Sequence, residues 1–419
     1  MSHSISLHNT RHGLSFSDRV VGRMSVAASA SRVIPRGFVM RHAMAQLIMW
    51  SAFYYLLPAI LPHMLAGTGW SGVVVSGAFT AVFLIWAVLS PVAGAIIDLG
   101  YGAVAMRLAG GIGAALLLVF SVVQSQTLAL GILVVLGLPM AMTLYDPCFS
   151  LMIARFGAGQ SSRRAITVVT LVAGLATLLT FPLVAWLASA GMDWRWIVRV
   201  FAVLVCVAVV IMPADRVARN VAPRPDGALT HSGGKSRVMA IGMAFALVML
   251  GHALLLFQLP LQLAKLTDGD AALLLPMVLG PAQIFGRLVW GALLGRMALD
   301  RAAIVLFGFM LLPPLLLFMT SGLTVALIAL IIQGAGFGVQ TVIRPMLSAH
   351  WLPETGFAQQ LGLIAMIGLL FMAVAPVLGA WVATVSGING LVALVLAVNL
   401  AGLALLLVLV GTARREAWA

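Results

Sequence analysis

Long apolar segments recur along this chain, and they restrict the possible folds more than any other feature. Twelve such runs can be traced, in a chain that is 62% hydrophobic and only 8% charged. Soluble domains carry about 25% charged residues. An apolar run of about 20 residues can cross a bilayer as an α-helix, and lipid permits only helices and closed barrels. Because strand-like alternation is absent, the sequence predicts an all-α membrane protein.

We interpret the runs as transmembrane helices and number them spans 1–12. The predicted ranges are 40–64, 72–98, 103–124, 127–154, 165–190, 194–213, 237–264, 270–296, 301–320, 323–350, 357–385 and 388–411. The longest connection, 214–236, contains Pro223 and Pro225 and is typical of a polar, flexible linker. It predicts two six-helix bundles, at 39–213 and 237–411. A disordered tail at 1–38 and a short C-terminus at 412–419 complete the predicted organisation.

The distribution of basic residues predicts the orientation of the chain. Nineteen of the 24 Lys and Arg residues fall on the side that holds both termini and the linker. Only Arg195, Arg199 and Lys265 fall on the opposite side. Since basic loops face the cytoplasm, the tail, the linker and the C-terminus are predicted to be cytoplasmic. Topology therefore accounts for the net charge of +13 without a nucleic-acid partner.

The ends of spans 2 and 8 contain similar short motifs. Gly94 and Asp98 close span 2, and Gly291 and Arg296 close span 8. Each motif is followed by a short loop and a new span. Such an internal repeat suggests two similar bundles around a central site, as in many secondary transporters.

These motifs resemble the loop signature of the major facilitator superfamily. The first copy matches at Gly94 and Asp98 but has Leu99 in place of a basic residue, and the second has Gly295 where an aspartate would stand. Longer segments resemble its monocarboxylate-porter and oxalate–formate-antiporter group: GWSGVVVSGAF (69–79), LSPVAGAIIDLG (89–100), LYDPCFSLMIARFG (144–157), GPAQIFGR (280–287) and GAGFGVQTVIRP (334–345). The resemblance implies a major facilitator fold, alternating access and a location in the bacterial inner (plasma) membrane.

Asp146 is the first candidate for a working residue, because it is the sole charge between 127 and 154. A charged side chain inside a bilayer costs about 2.5–3.5 kcal/mol on insertion scales. Arg344 lies at a similar depth in span 10, which the superfamily repeat makes equivalent to span 4. We predict that the two form an ion pair when the cytoplasmic side is closed, as a gate or a proton-coupling site. A purely structural pair that orients span 4 is the alternative, and an anion site in the aqueous cavity is the competing role of Arg344.

Arg287 is the second candidate, since its guanidinium lies within span 8. The resemblance implicates an arginine of this span in binding the substrate carboxylate, and a planar fork of donors suits that group. The residue four positions earlier is Gln283 rather than an aspartate, so the group's usual proton partner is missing. Local pairing at the cytoplasmic rim is the alternative role of Arg287.

Several uncharged polar residues are candidates for the lining of a substrate cavity, with helix packing as the alternative. They are Tyr54, Tyr55, Tyr145, His252, Gln283 and Gln340. His252 could titrate or hydrogen-bond a substrate, and glutamines inside membranes often hydrogen-bond neighbouring helices.

The predicted function is secondary active transport of a small solute, with an organic anion such as a monocarboxylate as the substrate and protons as a coupling ion. Efflux of a toxic compound, drug or metalloid is an alternative within transport, and a non-transporting membrane sensor is an alternative from another class. No catalytic cluster, metal-ligand spacing or cofactor motif occurs. We therefore expect no enzyme activity, no cofactor and no metal in a monomeric, lipid-embedded protein.

Overall fold

The computed structural model describes residues 36–70, 72–157, 159–213, 232–267, 275, 278–294, 297–319, 322–353 and 355–418. Residues 1–35 of the predicted tail and 214–231 of the predicted linker lie outside these ranges, as does Arg296 of the second loop motif. The described helices belong to one compact unit, Pro35–Ala419. The division into two six-helix bundles stays a prediction.

The first six spans are helices that follow the predicted apolar runs closely. Their bounds are Arg36–Met49, Trp50–Tyr55 and Leu56–Thr68 (span 1), Gly72–Asp98 (span 2), Gly102–Phe120 (span 3), Gln126–Val135, Gly137–Thr143 and Tyr145–Phe156 (span 4), Gln160–Ala173 and Ala176–Ser189 (span 5), and Trp194–Ile211 (span 6). Span 5 begins five residues earlier than predicted. Its first turns contain the polar residues Ser161, Arg163 and Arg164. A prediction based on apolar runs does not include such residues.

The described part of the second half of the chain also consists mainly of helices. The bounds are Ser232–Thr267 (span 7), Leu279–Leu294 (span 8), Leu299–Phe309 and Leu312–Met319 (span 9), Leu323–Trp351 (span 10) and Phe357–Trp418 (spans 11 and 12). Gly387, with a φ of 65°, interrupts the last helix between the two predicted spans. The helix continues through the predicted C-terminal segment 412–418.

Ten of the described helices are long and apolar enough to cross a membrane. One of them is the 357–413 segment, which Gly387 divides. Span 8 is apolar, but its described helix has only 16 residues. The structure therefore supports an all-α membrane fold, whereas the count of twelve spans stays a prediction.

Span 4 is broken at Leu144 and restarts as the helix Tyr145–Phe156. Pro147 lies in the first turn of the restarted helix, where a missing N–H costs no intrahelical hydrogen bond. The main-chain carbonyl of Thr143, four residues earlier, instead accepts a hydrogen bond from the buried Gln46 side chain of span 1.

Span 1 contains a π-helical segment, Trp50–Tyr55, in its middle. The N–H of Leu56 bonds to the carbonyl of Ser51, five residues back rather than four. Pro58 follows in the next turn and has no N–H to donate to Tyr54, which is consistent with a local change of winding here. Single π-turns inside α-helices are frequent at functional sites, and this one presents Trp50, Tyr54 and Tyr55.

Candidate functional site

Asp146 and Arg344 form an ion pair between span 4 and span 10. The Nη2 atom of Arg344 donates to Oδ1 of Asp146 at 2.6 Å, and the two side chains are only 11% and 12% exposed. The predicted contact is therefore present in this conformation. Its role as a gate or coupling site stays a prediction.

The break at Leu144 explains how an aspartate is accommodated beside a proline in an apolar span. Asp146 falls in the first turn of the helix Tyr145–Phe156. The unsatisfied N–H groups and the positive end of the helix dipole stabilise a carboxylate at this position. The positive charge of Arg344 and the positive end of the helix dipole thus both stabilise the Asp146 carboxylate.

Arg287 is buried at 3% exposure and connects three spans through its guanidinium. Nε donates to the carbonyl of Gly338 at 3.0 Å, and Nη1 donates to the carbonyl of Thr170 at 2.9 Å. Nη2 lies 3.4 Å from Oε1 of Gln283 and 3.4 Å from the Thr341 hydroxyl. All four partners are neutral, so the positive charge is hydrogen-bonded but not neutralised by them.

An aromatic cluster surrounds the restart of span 4. The Trp50 ring lies 4.5 Å from Tyr145 and 5.1 Å from Tyr54, and Tyr54 lies 4.8 Å from Tyr55. Trp86 of span 2 completes the cluster, 6.1 Å from Trp50. Tyr55 and Tyr145 both lie within electrostatic range of Arg287. The three predicted tyrosines therefore belong to one aromatic cluster, and two of them interact electrostatically with the predicted arginine of span 8.

His252 and Gln340 lie in the second half of the chain, buried at 3% and 2% exposure. His252 stacks on Phe337 with centroids 3.7 Å apart, and its Nδ1 is 3.5 Å from Nε2 of Gln333. Gln340 donates to the carbonyl of Phe245 at 3.3 Å. The Oε1 atoms of Gln333 and Gln340 have no hydrogen-bond partner among the described residues. Two buried acceptors are thus left available to a donor.

The first loop motif connects span 2 to the start of span 11 through hydrogen bonds. Asp98 accepts hydrogen bonds from the main-chain N–H groups of Ala358 at 3.1 Å and Gln359 at 2.9 Å. A side chain at Gly94 would overlap the carbonyl of Ala358, and one at Gly362 would overlap that of Ser90. Both glycines are therefore required for close helix packing. Gly291 of the second motif lies in the span 8 helix.

Sequence reasoning missed residues whose importance depends on partners far along the chain. Gln46 is fully buried and binds a carbonyl 97 positions away. Thr170 and Thr341 contact Arg287, and Trp86 joins the aromatic cluster. An uncharged Gln inside span 1 was a visible signal, whereas the two threonines carried none.

The fold and the side chains described above together define a class of protein. A bundle of apolar helices contains a largely shielded ion pair, a buried cation and a cluster of polar aromatic side chains, which are features of a membrane transporter. The chain belongs to the Major Facilitator Superfamily, whose family model matches residues 43–339. It is therefore a secondary transporter and not an enzyme. The family match does not distinguish the monocarboxylate group, which stays a prediction.

Solved structures of transporters share this fold at low sequence identity. The chain is similar to the human organic anion transporter MFSD10 (TETRAN), with a TM-score of 0.70, 16% identity, and coverage of 89% of this chain and 100% of that one. It is also similar to a bacterial homologue of the iron transporter ferroportin in the outward-facing state. The TM-score is 0.70 and the identity 13%, with coverage of 90% of this chain and 98% of that one. The fucose:proton symporter of E. coli scores 0.71, at 14% identity and 89% and 98% coverage. No curated protein sequence matches the chain.

Proposed function

We propose that this transporter carries a small organic anion, such as a monocarboxylate, by alternating access. The observation that carries this proposal is Arg287, a buried guanidinium with four neutral partners. A buried charge without an opposite charge is costly, and a substrate carboxylate would supply that charge while the transporter is loaded. The similar human structure is that of an organic anion transporter, which favours the same chemical class.

The lining beside Arg287 fits a small carboxylate with a polar substituent. Tyr55 and Tyr145 offer hydroxyl groups within electrostatic range of the guanidinium. The indole Nε1 of Trp50 is buried and has no hydrogen-bond partner among the described residues. A hydroxyl or keto oxygen on the substrate would accept a hydrogen bond from this N–H group. Such a bond would be favourable, because a buried donor without a partner is costly.

We further propose that the Asp146–Arg344 pair closes one end of the pathway and couples transport to protons. The pair joins span 4 to span 10, and Asp98 joins span 2 to span 11. Both contacts lie toward the end predicted to be cytoplasmic. Protonation of Asp146 would remove its charge and release Arg344, so that this end opens when a proton is bound.

Flux in proteoliposomes tests the substrate class. Radiolabelled pyruvate, lactate, formate and oxalate are supplied in turn, with protein-free liposomes as the blank. We expect saturable uptake of at least one anion, and competition by unlabelled carboxylates of similar size. A neutral sugar or an organic cation that is carried while all carboxylates fail would overturn the assignment.

The variants Arg287→Gln and Arg287→Lys sharpen this test. Glutamine removes the charge, whereas lysine keeps it but cannot offer a planar fork. We expect no detectable uptake with glutamine and a raised KM with lysine. Full carboxylate uptake by Arg287→Gln would show that the guanidinium does not bind the substrate.

A further inference from the structure

A cavity that shares Arg287 with the proposed substrate site lies between span 5 and spans 8, 9 and 10. Its volume is about 490 Å³. Span 5 contributes one continuous helical face, formed by Gln160, Arg163, Arg164, Thr167, Val168 and Leu171. The spacings of three, four, seven, eight and eleven residues from Gln160 place these side chains on one side of a helix.

The polarity of this face decreases along the helix axis. Its first two turns are basic and polar, with Arg163 half-buried and Arg164 exposed. Its later turns are apolar, and they continue into Leu288 of span 8 and Val342 and Ile343 of span 10. Leu288 is 55% exposed, so the apolar part of the cavity is not sealed by protein.

The basic residues of the cavity lack anionic partners. In the described part of the chain, the guanidinium groups of Arg163 and Arg164 have neither an ion-pair nor a hydrogen-bond partner. Arg287 also lines the cavity, and it is buried with four neutral acceptors. Three positive charges therefore border a space whose remaining lining is largely apolar.

We propose that this cavity binds an anionic phospholipid. The phosphodiester would lie between Arg163 and Arg164, since guanidinium groups bind phosphate through charge-assisted hydrogen bonds. An acyl chain would cover Val168, Leu171 and Leu288. Basic pockets between transmembrane helices on the cytoplasmic side are suited to anionic headgroups. A soluble organic phosphate offers the same anion without the chain, and it would leave the apolar half of the cavity unfilled.

Thermal unfolding of the purified full-length protein tests the proposal. The probes are dioleoylphosphatidylglycerol, dioleoylphosphatidylcholine and glycerol 1-phosphate, each titrated into the same detergent. We expect phosphatidylglycerol to raise the unfolding temperature, with little effect of the other two. Equal stabilisation by phosphatidylcholine would overturn the role of charge, and equal stabilisation by glycerol phosphate would overturn the role of the acyl chain.

Two classes of variant locate the site. Arg163→Gln and Arg164→Gln should each weaken the apparent affinity for phosphatidylglycerol about fivefold, the contribution of one basic residue near an anionic lipid. Val168→Phe keeps the charge but fills the apolar part, and it should also weaken binding. The matched control is Arg107→Gln, which removes a half-buried arginine of span 3 outside the cavity.

Native mass spectrometry of the same variants provides a readout that does not depend on unfolding. Wild type and Arg107→Gln should retain phosphatidylglycerol through purification, and the three cavity variants should lose it. Equal loss from Arg107→Gln would mean that general surface charge holds the lipid, which would overturn the site.

Discussion

Arg344 donates a hydrogen bond of 2.6 Å to Asp146 across 198 positions of sequence. The contact connects the restarted helix of span 4 to span 10, and the two side chains are almost entirely shielded from solvent. Removing one partner of a buried pair costs about 3–5 kcal/mol, because the other charge is left uncompensated. Either single substitution would therefore leave the remaining charge without its counter-ion, which disfavours this arrangement of the two spans.

Asp146→Asn and Arg344→Gln are expected to open the end of the pathway that the pair closes. Each single variant should lower the unfolding temperature and raise the reactivity of a cysteine placed near Asp146 from the predicted cytoplasmic side. The charge-swapped double variant, Asp146→Arg with Arg344→Asp, should recover much of the protection. Equal protection in all variants would mean that the pair does not hold the end closed.

Proton coupling makes a separate prediction for Asp146→Asn. Net uptake driven by an inward proton gradient should be lost, because asparagine cannot take up a proton. Exchange of substrate between equal pH values should persist, since it needs no net proton movement. Gradient-driven uptake in Asp146→Asn proteoliposomes at the wild-type rate would place the coupling site elsewhere.

The contact between spans 2 and 11 is predicted to depend on the absence of a side chain at Gly94. A methyl group there would overlap the carbonyl of Ala358, which belongs to the main chain and cannot rotate away. Gly94→Ala should therefore separate the helices and weaken the bonds from Asp98, with a loss of about 1–3 kcal/mol, typical of overpacking. Gly77→Ala, in the same helix, is the control, because a Cβ there meets nothing within 4 Å.

Urea titration of both variants in detergent measures this effect. We expect Gly94→Ala to unfold at lower urea and Gly77→Ala to match or exceed wild type, since alanine favours helix over glycine by about 1 kcal/mol. A Gly94→Ala variant as stable as Gly77→Ala would contradict the close approach of the two helices.

Gln46→Leu is predicted to destabilise the break in span 4. Leucine is close to glutamine in size but leaves the carbonyl of Thr143 without its donor, while Pro147 cannot supply one. An unsatisfied buried acceptor costs about 1–3 kcal/mol. Thermal unfolding measures the loss, and Gln46→Glu, which offers no donor when ionised, should be at least as harmful. Wild-type stability in both would show that the bond contributes nothing.

Much of the fold was predictable, because the local hydrophobicity of a sequence identifies the segments that cross a bilayer. The helix of span 2 has the predicted bounds of 72–98, and the boundary between spans 11 and 12 coincides with the interruption at Gly387. The ion pair was also predictable, since charges are rare in these spans and Asp146 and Arg344 lie at matching depths. Helix ends were less predictable where polar residues continue a helix, as at Arg163 and Arg164.

Sequence by itself determined the class of the protein: an apolar helical transporter with a few intramembrane charges. Tertiary structure decided what those charges contact. Whether Arg287 reaches Thr170 and Gly338, or a carboxylate, depends on the rotation and tilt of three helices that are far apart in the chain. The same is true of the break at Leu144, because the Gln46 side chain that satisfies Thr143 comes from another span. Hydrophobicity selects which segments enter the membrane, whereas close packing between them selects the neighbours of each polar group.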